Sequence, residues 1–417
     1  LAAVRFSLLL SLVGQTRERK RNLLQYATIK SMDLRTLPDG LNPEERCNER
    51  RERVEKEMNA DLSLLATSAD RIGQADEKNC EQMIGSVPLP VGIAGPLTLT
   101  FSSGETSEIF LPLATTEAAL VASVNRGCKV LSTSGGVSLK SQYHGMSRSI
   151  VLKPINAKIR SYTQEIRSRE DAWKKIGEAT SHHLKILRYD IDETDRYVFL
   201  TIFCDTGEAM GMNMTTIAAQ AVGDWLAKEL DAELITIAAN VDSDKKPSKR
   251  THDRGRGFEV IASAVIPSSV IAEVLKTTPE ALLAVADAKL RAGSDIAGAI
   301  SRNLHAANII AALYLATGQD TAHTVEGSLA DTTVSPAKDG ITISVRLPAL
   351  LVGVRGGGTA LPAQNQCMSL ILKPKTALRG PQQLAESIGA AVLAGELSLL
   401  AAQATQTLAS AHRKLAR

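Results

Sequence analysis

Read for hydrophobic and polar positions alone, the chain changes period several times. Residues 22–78 are charged and helical in pattern. Pro43 followed by Glu44, Glu45 and Arg46 reads as a helix start, since proline suits a first turn and acids suit its positive end. That helix is expected to run through Met58. From 79 to 100, prolines and glycines interleave with branched apolar residues (Val87-Pro88-Leu89-Pro90-Val91-Gly92-Ile93-Ala94-Gly95-Pro96). This fits extended chain whose backbone approaches a ligand, and equally a buried irregular loop. Short strands at 97–101 and 108–111 follow. Then comes a helix predicted to be capped by Thr115 or Thr116, with Leu120, Val121 and Val124 on its buried side.

The next stretch alternates. A strand at 150–153 precedes a helix over about 156–184, with Ile159, Tyr162, Ile166, Trp173 and Ile176 on one side. Strands at 185–190 and 196–204 flank a turn, a second helix covers about 213–230, and a strand at 233–239 closes the set. That order, β-α-β-β-α-β, is the split βαβ of ferredoxin-like modules, here inserted into a larger domain. Beyond it come a strand at 258–266, a helix opening near Pro279, a small-residue helix leading to Thr317, a long strand at 341–354 and an Ala/Leu-rich helix over about 381–413. The pattern predicts an α+β protein.

Composition narrows the function. The 417 residues suffice for two or three domains, and 48 basic against 45 acidic residues leave only +3. No basic run is interleaved with aromatics, so nucleic acid is not an expected partner. The five cysteines are scattered without metal or redox spacing, which indicates a reducing compartment and no disulfide framework. The histidines do not have zinc-ligand spacing, and no metal is expected. No apolar run reaches the ~18 residues of a membrane helix. The chain starts at Leu1, and the acid-free residues 1–17 fit both a signal-like or transit segment and a terminus without function.

Several stretches carry possible chemistry. Asn240-Val241-Asp242-Ser243-Asp244-Lys245-Lys246-Pro247 follows an apolar strand; two lysines beside an acid suit a small polyanion, and a lysine in a dry pocket can stabilise an oxyanion. Alone it also reads as a solvated turn. Glu117 sits at the expected helix start, either complementing the dipole or as a proton donor. Gly207-Glu208-Ala209-Met210-Gly211-Met212-Asn213 joins a strand to a helix and makes an anion-binding corner without being the GxGxxG fingerprint. Asp320 follows a Gly-ended helix and could be a solvated cap. Arg355-Gly356-Gly357-Gly358 suggests backbone pressed against a ligand or another chain, or a flexible turn. His305 and His412 taken singly point to nothing.

Taken together and in order, the stretches 81–97, 111–127, 207–214, 240–247, 303–320, 353–362 and 395–412 resemble the signature of 3-hydroxy-3-methylglutaryl-coenzyme A (HMG-CoA) reductases over roughly residues 45–417. The Asp-Lys-Lys-Pro and Met-Gly-Met-Asn-Met pieces are similar to the eukaryote/archaea-type (class I) branch. The resemblance implies an N-terminal tail and helical region (1–78), a large substrate domain (79–149 plus 237–417) and an inserted ferredoxin-like NADPH domain (150–236). It implies reduction of (S)-HMG-CoA to mevalonate and coenzyme A with two NADPH, in isoprenoid and sterol synthesis. Catalytic roles carry over to Lys245 (oxyanion stabiliser), Glu117 (proton donor), Asp320 (joining the two in one network) and His412 (protonating the thiolate from a closing flap). Substrate-binding roles carry over to Arg148, Asp244, Lys246, Lys289, His305 and Asn308, with Glu81 and the run 88–96 near coenzyme A. Lys185, Met210, Gly211, Met212 and Asn213 match NADPH positions. The family also implies a homodimer or dimer of dimers with shared sites, and the expected location is the cytoplasm, or mitochondria, or a membrane tether through a missing N-terminal segment.

Some positions depart from the pattern: Glu208 for aspartate, Gln82 for asparagine, Ala238 for a serine, His182-His183 near the phosphate site and a basic loop at 248–256. A coenzyme A thioester hydrolase or lyase, and a non-catalytic acyl-CoA-binding relative, are the rival readings. The first needs no anion corner; the second has no use for Lys245, Glu117, Asp320 and His412 together.

Overall fold

Helix α1 (Pro43–Met58) starts where proline and the two acids place it, and Asn42 completes a reciprocal cap. The Asn42 side chain accepts the Glu45 N–H at 3.0 Å and Glu45 accepts the Asn42 N–H at 2.9 Å, satisfying two otherwise unpaired donors. In this computed structural model, residues 33–155, 159–374 and 376–406 are described. Residues up to Pro88 and those from Leu89 onward form two compact units. In the first, two short helices, α2 (Ala69–Ile72) and α3 (Ala75–Lys78), follow α1. The buried Asp76 of α3 accepts from Arg46 at 2.7 Å, so this unit is pinned by an ion pair as well as by Cys47 and Ile72 in its interior.

The second unit is built on strands β1 (Val91–Thr100), β2 (Thr106–Ala114) and β3 (Val137–Pro154), with α4 (Leu120–Thr133) between β2 and β3. Helices α5 (Ile159–Ser168) and α6 (Glu170–Glu178), strands β4 (Lys185–Glu193) and β5 (Val198–Asp205), helix α7 (Met212–Glu229) and strand β6 (Ala232–Thr236) follow. Next come α8 (Lys249–Arg254), β7 (Gly257–Ile266), α9 (Pro279–Ala286), α10 (Ala306–Thr317), α11 (Thr324–Gly327), β8 (Asp331–Pro336) and β9 (Ile341–Leu350). The described chain closes with α12 (Pro362–Ser369) and α13 (Gly380–Ala404).

The long strand β3 belongs to two sheets. Its first half pairs with β7 and briefly with β1, giving the order β2-β1-β3-β7-β9-β8. Its second half lies between β5 and β6, with β4 outside β5. The changeover is a bulge between Tyr143 and Gly145, where Gly145 has φ +88°. Each sheet has its own core. Ile150, Leu152, Trp173, Leu200, Ile202, Val222 and their neighbours fill one. The larger one joins β1, β2, β7 and β9 to α4, α10 and α13.

The mixed α+β class and most elements agree with expectation; the differences are local and physical. Residues 91–94, read as extended chain or a buried irregular loop, belong to β1, pairing Val91 with Ala114. Neither Thr115 nor Thr116 caps α4. Thr115 Oγ1 instead accepts the Glu117 N–H at 2.9 Å, closing a turn, and Ala119 at φ +73° leads into the helix at Leu120. The helix expected over 156–184 is broken at Arg169, and the indole of Trp173 takes the Ile166 carbonyl at 2.9 Å. The strand expected to reach Val354 stops at Leu350.

Helix α13 bears on the expectation that no segment spans a membrane. It is long and apolar enough to cross a membrane, yet 94% of its most apolar window is buried within the protein. A helix apolar on all sides must be surrounded, and here small residues allow close packing. Gly127 of α4 lies directly against α13: a Cβ there would stand 1.9 Å from the Ala394 carbonyl oxygen. Gly127→Ala is therefore expected to force the helices apart and lower stability by about 1–3 kcal/mol, as in other overpacked cores; urea unfolding of the variant beside the parent measures it.

Candidate active site

The lysine loop is bent by strained backbone. Asn240, Ser243 and Lys245 have φ of +60°, +53° and +58°, a region that costs about 1–3 kcal/mol for residues other than glycine unless the surroundings enforce it. Here they do. The Lys245 N–H donates to Glu326 Oε1 at 2.5 Å, and the Ser243 N–H donates to the Asn240 carbonyl at 3.0 Å. So placed, Lys245 Nζ stands 2.9 Å from Asp320 Oδ2.

Asp320 reaches this point because α10 ends at Gly318 in the left-handed conformation. A Cβ at Gly318 would meet the Gly358 carbonyl oxygen at 2.2 Å, so the glycine run presses on its own chain there. Gln319 bonds Gly353 through both its amide atoms, at 3.0 and 2.9 Å. Asp320 does cap the following turn, accepting from the Ala322 N–H at 3.1 Å, while its other oxygen holds Lys245.

A layer of charge lies behind the pair. Arg148 Nη1 stands 3.4 Å from Asp242 and 3.3 Å from Asp244, and its Nε donates to Thr216 at 2.9 Å. Arg256 Nη1 stands 3.1 Å from Asp244 and 3.0 Å from Glu326. Lys246 Nζ donates to the Asp244 carbonyl at 2.8 Å. Burial raises the Asp244 carboxyl, but the charges of Arg256 and Arg148 outweigh it and the group sits below its ordinary value. Asp242 is buried more deeply, and burial, only partly offset by Arg256 and Arg148, pushes it above its ordinary value. Burial likewise raises Asp320, yet the Lys245 hydrogen bond and then the His323 charge bring it below. Donor atoms of Asp244, His323 and Glu326 lie within 4.8 Å of one another. Arg256 already sits on both carboxylates there, so a cation is present without a metal.

A second cluster gathers at the start of α10. Asn308 Nδ2 donates to Glu117 Oε1 at 3.3 Å. Glu396, fully buried on α13, accepts the N–H groups of Leu304 and His305, each at 2.7 Å, and the Thr332 hydroxyl at 2.7 Å. Among the described residues, His305 Nε2 is buried without a hydrogen-bond partner, over Gly395. Among the described residues, Glu117 bonds Thr115 and Asn308 and not Lys245 or Asp320, so the single network expected for the three is not closed within the chain. Lys289 is half-buried on the helical segment Asp287–Gly293, and no described contact joins its side chain to either cluster. Glu81 is exposed in the N-terminal unit, and His412 lies outside the described residues.

The expected cofactor residues converge on the start of α7. Gly211, at φ +93°, precedes the helix with no side-chain cap among the described residues, so first-turn N–H groups are available to an anion. A Cβ at Gly211 would strike the Thr206 side chain at 2.2 Å. The Glu208 carbonyl accepts the Val354 N–H at 2.8 Å, fastening this loop to the segment before the glycine run. Met210 and Met212 are partly exposed and Asn213 is exposed. Lys185 is exposed at the start of β4, and the turn before it reaches α7 through the Ser181 hydroxyl on Met214 Sδ at 3.5 Å. A cleft of about 480 Å³ opens beside Glu208, lined also by Arg355, Met368, Lys373 and Gln383, away from Lys245.

Sequence reading missed Arg256, His323, Glu326 and Glu396. A His-x-x-Glu spacing at 323–326 and an arginine between two glycines were the available signals.

The family described as hydroxymethylglutaryl-coenzyme A reductase matches residues 46–417. A 3-hydroxy-3-methylglutaryl-coenzyme A reductase of Methanothermobacter thermautotrophicus is 38% identical over 378 residues, covering 88% of this chain and 92% of the relative. Reductase 1 of Dictyostelium discoideum is 37% identical over 374 residues, covering 87% of this chain and 67% of the relative. In fold, the chain is similar to a Streptococcus pneumoniae 3-hydroxy-3-methylglutaryl-coenzyme A reductase, with a TM-score of 0.64 at 18% identity, over 93% of this chain and 96% of that one. A class II reductase from the same organism, bound to NADPH in open conformations, gives 0.62, also at 18% identity and with 93% and 96% coverage.

The opposite shifts of Asp244 and Asp242 give opposite pH signatures. The stability from Asp244 is complete above the ordinary carboxylate value, about 4, and is lost as pH falls below it. Asp242 instead contributes stability that is present below that value and lost as pH rises through its folded one. In thermal unfolding followed from pH 7 to 3, Asp244→Asn is expected to flatten the loss of stability below about pH 4. Asp242→Asn is expected to remove a gain on acidification above that point.

Proposed function

The chain belongs to the hydroxymethylglutaryl-coenzyme A reductase family, and on that footing we propose that it reduces (S)-HMG-CoA to mevalonate and free coenzyme A with two NADPH, as an enzyme of isoprenoid synthesis. The observation that carries this reading is the Lys245–Asp320 pair at 2.9 Å, backed by Arg148 and Asp244. The higher identity to the archaeal and Dictyostelium relatives supports the eukaryote/archaea-type branch.

The carboxylate of the substrate fits Arg148 and Lys246, which flank the acids of the loop. Lys245 then meets the thioester oxygen, stabilises the oxyanion that forms there and polarises the aldehyde that follows. Asp320 holds the ammonium in place. Glu117 gives a proton to the developing alcohol, and His412 to the leaving thiolate. Met210–Asn213, the free first turn of α7 and Lys185 would hold NADPH, which supplies the hydride in both reductions. The inserted segment 150–236, with strand order β4-β5-β3-β6, would be its ferredoxin-like domain.

Glu117 is exposed here, and a carboxyl that is to stay protonated as a donor at neutral pH needs burial. Its cluster and the Lys245 cluster are therefore halves of two sites, each completed by a second copy of the chain. This accounts for a Glu117 that meets Asn308 but not Lys245.

With HMG-CoA, about two NADPH should be consumed per thiol released, and Lys245→Ala should lower kcat on the order of 10²–10³. Thiol release without NADPH loss would identify a hydrolase instead. Mixing inactive Lys245→Ala chains with inactive Glu117→Ala chains should restore activity by forming one intact shared site per mixed dimer. No restoration, with subunit exchange verified, would sink the shared-site reading.

A further inference from the structure

Behind the Lys245–Asp320 pair lie two buried residues that the proposed chemistry does not use. Glu326 is fully buried on α11, and its Oε1 accepts the backbone N–H of Lys245 at 2.5 Å. His323, also fully buried, stands between Glu326 and Asp320. Its Nδ1 is 3.3 Å from Glu326 Oε1 and its Nε2 is 3.6 Å from Asp320 Oδ2, just beyond a closed hydrogen bond. Glu326 thus touches the lysine twice: directly at the backbone, and through His323 and Asp320 at the ammonium.

The ring can serve both carboxylates in only one form. Ionised carboxylates accept and never donate, so a neutral imidazole would turn a lone pair toward one of them. Protonated at both nitrogens, it donates to each. The surrounding charges favour that form. Asp244 faces Nε2 at 4.0 Å from the lysine loop, Asp320 from the turn after α10 and Glu326 from α11. Against these three acids stand Arg256, paired with Asp244 and Glu326, and Lys245, paired with Asp320. Arg148 lies on Asp244 and on a fourth acid, Asp242, so four carboxyls face three fixed cations and one positive charge is missing from the group. Tyr314, buried on α10 and pushed up mainly by burial, feels Glu326 and Asp320 and adds no cation.

We propose that Glu326 and His323 are positioning residues for Lys245: Glu326 fixes the lysine backbone in its left-handed turn, and doubly protonated His323 holds the Asp320 carboxylate against the lysine ammonium. The inference rests on the roles given above to Lys245 and Asp320. A charged ring there would act with the Lys245 hydrogen bond to hold the Asp320 carboxyl below its ordinary value.

Two measurements test it. Selective ¹⁵N-histidine NMR of the full chain reads ring protonation without substrate, with His323→Gln identifying the signal. The wild-type ring should carry both protons at neutral pH and lose one in Glu326→Gln. Kinetics with HMG-CoA and NADPH come second. Glu326→Gln keeps an acceptor for the Lys245 N–H but loses the charge that holds the ring. It should lower kcat about tenfold while KM changes much less, and shift the alkaline limb of the kcat profile to lower pH. The double variant should be no worse than the poorer single one, as for residues acting as a unit. A wild-type ring carrying a single proton at neutral pH overturns the proposal. So do variants that lose thermal stability while keeping kcat and its pH profile. If the wild-type chain does not reduce HMG-CoA, the reading of the site fails, and the NMR result still decides the state of His323.

Discussion

Arg256 is 1% exposed and carries a charge that cannot be shed, so the structure around it is obliged to supply acceptors. It finds them on three separate elements. Nε and Nη2 donate to the Ser147 hydroxyl and carbonyl on β3, at 3.0 and 3.2 Å, while Nη1 meets Asp244 of the lysine loop and Glu326 of α11. Gly255 and Gly257 deliver the side chain. Their φ values are +73° and +64°, and a Cβ on either would meet the His144 ring at 2.3 Å or the Leu350 carbonyl oxygen at 2.6 Å. Without the guanidinium, the buried Glu326 and the half-buried Asp244 would face one another, a loss on the order of 3–5 kcal/mol for a buried pair broken from one side. The left-handed turn at Lys245 depends on Glu326, and Glu326 depends on Arg256.

The second cluster has an equivalent anchor in Glu396. Its carboxylate gathers the two N–H groups before α10 and a threonine hydroxyl from β8, all at 2.7 Å. Buried polar groups of this kind fix orientation when every acceptor is used. Here they set the His305 backbone and the first turn that carries Asn308. Each cluster is therefore held from behind by a fully buried glutamate, while the side chains expected to meet substrate, Lys245, Lys246 and Glu117, remain exposed in front.

Much of this was legible in the sequence. Pro43 and its acids mark α1, and the βαββαβ alternation appears in the expected order, though its first strand begins at Val137 and its first helix is split in two. Lys245 and Asp320, distant in sequence, do meet. What could not be read was tertiary. Thr115 had a closer donor to serve than a helix end, in the amide of Glu117. The apolar sequence of α13 gives no sign by itself that protein surrounds it. Arg256, His323 and Glu326 look like ordinary surface residues until their neighbours from other elements are known. Periodicity reports the face a residue takes within its own element, and these residues are defined by partners outside theirs.

The sharing of β3 has a consequence for the order in which the chain can fold. The smaller core draws all its buried residues from 150–226, and its sheet closes when Leu152 pairs with Leu234. The larger core needs Leu97 and Val124 to meet Val345, Ile388 and Ala401, so it cannot close until almost all of the chain exists. Contacts near in sequence form before distant ones because the loop to be closed costs less entropy. During synthesis the nested module can finish while the first half of β3 still awaits β7. The second half of β3 would then be already in place as a template, presenting residues 138–145 to a strand that emerges more than a hundred residues later.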